Sequence, residues 1–223
     1  MTGVDMPVSF FDLYAPPLTT GGEKALLHAH LQLNRDALLW KLEGLGETEL
    51  RRPMTATGTN LLGLVKHLTG IESGYFCDAF GRERPALAWE GGEEWALGEF
   101  SGDMYAKPDE SAEELVACYR AATAAADRSI ADLDLDATGR HHLGITVSLR
   151  WMLLIVLLDT ARHAGHADIV REQIDGAAGS NRQWPGVVED EEYRETYLAR
   201  VRGEIDDKTW LTFVRARKGA SPA

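Results

Sequence analysis

Four stretches of the chain repeat apolar residues at helical intervals, and the segments between them are rich in glycine, proline and charge. From Glu23 to Leu45 the positions Leu27, Leu31, Leu38 and Leu42, with Leu26, Leu33, Ala37 and Trp40 beside them, form one wide stripe that Gly44 and Gly46 bring to a stop. Pro53 through Gly58 break the period. Thr59 or Asn60 can then cap a second helix, striped by Leu61, Leu64, Leu68, Ile71, Tyr75 and Phe76, that ends before Gly81. Ser111 followed by Glu114 is a capping box for a third, whose face carries Leu115, Ala122, Ala126, Ile130 and Leu133 and which runs to about Leu135. Ser148 caps a long fourth helix reaching Ile174, with Gly176 as its stop.

The intervening stretches complete the plan. Residues 1–22, with Pro7, Pro16, Pro17, Gly21 and Gly22, read as an irregular arm. Arg82 to Pro108 has no clean period and exceeds most connections, so it is either a functional lid, with Trp89 and Trp95 as candidate lid residues, or a crossover between parallel neighbours. No segment shows a strand pattern. The expected fold is therefore an all-α four-helix bundle over 23–176. The remaining 177–223, with amphipathic turns carrying Tyr197, Val201, Trp210, Phe213 and Val214, is expected to pack on the bundle or on a second subunit.

Composition narrows the function classes. A net charge of −12 opposes a polyanionic partner, because nucleic-acid affinity comes from Lys and Arg neutralising phosphates. The first residues have neither a basic start nor a long apolar stretch, and the longest strongly apolar run, Trp151 to Leu158, is too short for a bilayer, so a cytoplasmic protein without nucleic-acid or membrane partners is expected. Cys77 and Cys118 stand outside any C-x-x-C pattern, which removes a disulfide framework and a cysteine zinc site. They are expected to be small buried residues.

The candidate chemistry lies on the fourth helix. In the run from Asp159 through His163 to His166, steps of four and three bring three possible ligands onto one face within about 60° of one another. Two imidazoles on one face repel when protonated, which gives them reason to converge on a cation. A site inside a bundle needs a ligand from a facing helix, and His67, set among Leu64, Val65, Leu68 and Ile71, is the candidate. A single histidine on an apolar face is more often a hydrogen-bonded core residue; the pairing with His163 and His166 is what raises it. Imidazoles with one carboxylate suit Zn, Ni, Fe or Mn, and three protein ligands leave positions open for water or substrate. His28, His30, His141 and His142 lack ligand spacing, although His141 could line the mouth of a site. Asp168, Arg171 and Glu172 read as salt-bridged surface.

The segments Thr59 to Glu72 and Leu149 to Glu172 together resemble the DinB-like superfamily, in particular its actinobacterial branch, the mini-circle protein group, over roughly Glu23 to Gly176. The resemblance implies a four-helix bundle with a long crossover between its second and third helices, frequently dimeric. It implies zinc or nickel held by one ligand from the second helix and two from the fourth, taken from His67, Asp159, His163 and His166, with Asp159 and His166 as alternatives for the third place. Members of the superfamily include thiol S-transferases that use bacillithiol or mycothiol, and a mycothiol-dependent isomerase. The implied function is a metal-dependent enzyme of the thiol S-transferase or isomerase/hydrolase kind acting on a small molecule, with mycothiol as a possible co-substrate. The alternative is a non-catalytic metal- or ligand-binding dimeric bundle. This chain has Ile155 and Leu158 where relatives often carry a His and a Glu.

Overall fold

The computed structural model describes residues 19–87, 89–90, 101–179 and 190–219. The first eighteen residues of the predicted arm, and Trp95, lie outside the described residues. The chain divides into two compact units, Met1–Pro185 and Gly186–Ala223.

The first unit contains α1 (Glu23–Trp40), α2 (Glu47–Arg51), α3 (Leu61–Phe76), α4 (Ala112–Asp132) and α5 (Leu149–Asp175), with 3-10 turns at Asp78–Phe80 and Ser101–Met104. The caps are those that the side chains dictate. Asn60 accepts from the Gly63 amide at 2.8 Å, Ser111 and Glu114 form a capping box, and Ser148 accepts from the Trp151 amide at 3.2 Å. Gly176 ends α5 in the left-handed region at φ 79°.

Among the described residues the structure is all-α apart from one hairpin, and that hairpin corrects the expectation of no strands. Residues Thr138–Arg140 (β1) pair antiparallel with Thr146–Ser148 (β2), Gly139 opposite Val147. Three-residue strands with Val147 as the one buried side chain are too short to leave an alternating pattern. α1 also stops earlier than its stripe does. Leu42 and Leu45 still pack on the core, but from the turn after Trp40, so the apolar period outlasts the helix. Leu133 and Leu135 do the same beyond α4.

The core has two apolar blocks. One joins Leu38 and Leu42, Leu61 to Leu68, Leu115 and Tyr119, and Ala167 and Val170; the other joins Leu31, Phe76, Ala126 and Ile130, and Leu149 to Val156. The late part of α1 thus meets the early parts of α3 and α4 and the late part of α5. It follows that α3 and α4 run parallel, as do α1 and α5, with the two pairs antiparallel. Parallel neighbours need a long connection, and the segment between α3 and α4 is that crossover. Trp89 within it packs on the core and lies under the Lys66 ammonium at 5.0 Å, as a packing residue rather than a lid.

The second unit, described by itself, holds α6 (Glu191–Val201) and α7 (Asp207–Gly219). Asp190 caps α6, and Tyr193, Tyr197, Trp210 and Phe213 bring their rings together between the two helices.

Candidate metal centre

His67 occupies the middle of α3, and Asp159 and His163 lie one turn apart on the face of α5 turned toward it. Thr160, Ala164 and Ala167, all buried, keep α5 slim on this side and let the two helices approach. One ligand atom from each of His67, Asp159 and His163 falls within 4.8 Å of the others. Nε2 of His67 is 3.5 Å from Oδ2 of Asp159, Nε2 of His163 is 3.6 Å from Oδ1, and the two rings meet edge-on at 4.8 Å. The first two distances are longer than a good hydrogen bond.

The fit to a cation rests on what this arrangement lacks. Oδ2 of Asp159 is buried and has no hydrogen-bond partner. An unsatisfied buried acceptor costs on the order of 1–3 kcal/mol, more when charged, and a divalent ion among two imidazoles and a carboxylate removes that cost. The donor set of two nitrogens and one oxygen suits zinc or nickel and leaves coordination positions open.

His166 stands outside the group. It is exposed, past His163 on the helix, and its Nδ1 lies 3.3 Å from Nδ1 of His163. Asp159, one turn earlier and facing α3, is the residue brought to the common point.

A residue that no spacing pointed to completes the surroundings. Asp103, in the 3-10 turn Ser101–Met104 of the crossover, places Oδ2 2.7 Å from Nδ1 of His67. A single carboxylate in an aperiodic segment gives the sequence nothing to mark it. Burial works against a charge on His67, but the hydrogen bond to Asp103 and the negative charges of Asp103 and Asp159 outweigh it and raise the imidazole to about 9. Burial likewise pushes the Asp159 carboxyl up, yet His67 and His163 hold it below the usual carboxylate range. His163 is pushed down by burial and by the charge on His67. In the site without metal a positive charge is thus favoured on His67 over His163.

Beside the centre opens a cavity of about 350 Å³ lined by His67, Asp159, Ile71, Tyr75, Ile155, Leu158 and Arg162. Ile155 and Leu158, on successive turns of α5, form part of its apolar wall. His141, buried in the hairpin loop, packs edge-on against Tyr75 at 5.0 Å. The other sequence candidates fall elsewhere. His28 pairs with Asp127 at 2.7 Å, Asp168 with Lys41 at 3.1 Å, and Arg171 with Asp175 and the carbonyls of Lys41 and Glu43. Cys77 is buried and Cys118 half-buried, and burial pushes both thiols up, away from thiolate chemistry. No helix among the described residues is long and apolar enough to cross a membrane.

The mycothiol-S-transferase family matches residues 26–176, which is more than half of the chain and includes His67, Asp159 and His163. No curated protein matches the chain significantly. With the helical bundle, the parallel crossover and the converging residues of α3 and α5 in place, the family match leads to one statement: this chain belongs to the mycothiol-S-transferase family, a DinB-like family.

Proposed function

We propose that this protein is a metal-dependent thiol S-transferase that joins mycothiol, or a closely related small thiol, to a small electrophile, with zinc or nickel held by His67, Asp159 and His163. The observation that carries the reading is the convergence of those three residues beside a cavity that His67 and Asp159 help to line, with Asp159 Oδ2 buried and without a hydrogen-bond partner. A divalent cation held there would supply Lewis acidity, lowering the pKa of a thiol so that thiolate would be present at neutral pH.

The chain's own residues do the rest. His67 and His163 offer Nε2, and Asp159 offers a carboxylate whose negative charge, together with that of one thiolate, would balance a doubly charged ion. Ile71, Tyr75, Ile155 and Leu158 shield the electrophile from water, and Arg162 offers a positive charge in the cavity wall. The sulfur forms a bond to the electrophilic carbon, the thiol proton leaves to solvent, and the leaving group departs with its electron pair. Trp151, Leu154 and Leu158 are exposed on one side of α5, which favours a homodimer that covers them; sedimentation measures it.

The test combines elemental analysis of protein purified without chelators with a thiol-transfer assay using mycothiol and an electrophilic fluorogenic probe. The expected result is about one zinc or nickel per chain and thiol consumption that a chelator abolishes. Metal without transfer leaves the non-catalytic binding module, and protein without metal ends the reading.

A further inference from the structure

We infer that Asp103 is the positioning residue of this centre: from the crossover it holds the Nδ1–H of His67 and so fixes the tautomer and ring orientation that present Nε2 to Asp159 and His163. The inference rests on the proposed ligand role of His67, Asp159 and His163.

The geometry divides the two nitrogens of one ring. Nδ1 meets Asp103 at 2.7 Å, and Nε2 faces Asp159 at 3.5 Å. An imidazole binds a metal through an unprotonated nitrogen, so a carboxylate that claims the proton at Nδ1 leaves the lone pair at Nε2 and makes it more basic. Asp103 is on the far side of the ring from the other ligand atoms and does not join their group.

The crossover is fastened so that Asp103 arrives there. Gly63, Lys66 and His67 stand three and four residues apart on α3 and thus share a face. At Gly63 the 3-10 turn lies so close that a Cβ would stand 2.0 Å from the Met104 carbonyl oxygen. Lys66, fully buried, donates to the Tyr105 carbonyl at 2.9 Å and to both carboxylate oxygens of Glu110 at 2.8 Å. Arg51 donates to the carbonyls of Ala106 at 3.0 Å and Lys107 at 2.8 Å. A glycine where nothing larger fits and a buried lysine next to His67 both act on the segment that carries Asp103. The affinity of the centre then depends on how that segment seats on α3.

The experiment uses the full chain and zinc alone, with affinity read by competition against a chromogenic chelator. Asp103→Ala is expected to weaken zinc by about 10- to 100-fold at unchanged stoichiometry. The absorption bands of the cobalt-substituted protein stay where they are, because no ligand is lost. Asp103→Asn keeps an acceptor and recovers part of the affinity. Gly63→Ala displaces the turn and weakens zinc in the wild-type background but adds nothing in the Asp103→Ala background, since the two act through one contact. If the wild type binds zinc and Asp103→Ala binds it within about two-fold, the inference falls while the proposed function stands. Equal losses from Gly63→Ala in both backgrounds also overturn it. A wild type that takes up no zinc sinks the ligand reading and the inference with it. Should Gly63→Ala fail to fold, the two Asp103 variants decide alone.

Discussion

Two polar clusters sit on α3 little more than one turn apart, one at Glu72 and one at His67. At Glu72 the charged groups are paired: Arg35 donates to its carboxylate through Nε at 2.6 Å and Nη2 at 2.5 Å and to Asp127 through Nη1 at 2.7 Å, while Asp127 also binds His28 at 2.7 Å and Gln32 at 2.8 Å. Arg35 and Glu72 are nearly or wholly removed from water. Burial works against the Arg35 charge, but its carboxylate partners hold the guanidinium more firmly protonated than usual. Burial pushes the Glu72 carboxyl up, yet the two guanidinium hydrogen bonds require it ionised. At His67 the groups converge without completing one another: contacts of 3.5 and 3.6 Å, a buried carboxylate oxygen with no hydrogen-bond partner, and a cavity alongside. The same kinds of residue thus serve opposite ends. A closed network stabilises and specifies the bundle, and an open one leaves its binding capacity for something that the chain does not contain.

The comparison breaks most severely at Arg35. Arg35→Met leaves Glu72 buried and unpaired, and we expect a loss of ~3–5 kcal/mol in urea unfolding, with the zinc stoichiometry of the folded protein unchanged. Wild-type stability in that variant, or loss of zinc from its folded form, would erase the distinction between the clusters. His163→Ala should do the reverse: metal content drops to background, while the metal-free protein stays within ~1 kcal/mol of the wild type, as for a half-buried side chain outside any closed network.

The two clusters also respond to pH from opposite sides. His67 is raised to about 9, above the ordinary histidine value of 6.5, so it adds stability to the metal-free protein that is complete below about 6.5 and disappears as pH rises through about 9. Zinc must displace that proton, so its affinity should climb over the same interval; a flat affinity there contradicts the assignment of His67. Burial works against the charge on Asp127, but His28 and Arg35 lower its carboxyl from 3.8 to about 2, so the stability it adds is present above about 4 and is lost as pH falls through about 2. Acid titration of the metal-free protein, followed by circular dichroism, measures this. The smallest effect belongs to His166→Ala, for which we expect an unchanged stoichiometry and at most a few-fold change in zinc affinity. A loss of stoichiometric binding would place His166 among the ligands.

Part of the buried pair was open to a closer reading of the pattern. Arg35 falls on the stripe between Leu31 and Leu38, and Glu72 between Leu68 and Phe76, so each helix carries a charge at a position that otherwise turns inward. Charges of opposite sign at stripe positions of two helices are a signal for a buried ion pair. Lys66 gave less warning, since its partners lie in the crossover, and Asp103 gave none.

Helix periods, capping boxes and the Asp159 to His163 spacing are interactions between residues at most a few positions apart, and the chain's order of residues determines them without reference to the rest of the molecule. That is why the four main helices, their caps at Ser111 and Ser148, and the shared face of Asp159 and His163 on α5 are legible in the sequence. That Asp159 rather than His166 lies beside His67 depends on how α5 is rotated against α3, and the meeting of Asp103 with His67 depends on where a long aperiodic connection lands. Both are set by packing among residues far apart in the chain, such as Gly63 under Met104 and Lys66 against Glu110, and no local pattern encodes the distance between them.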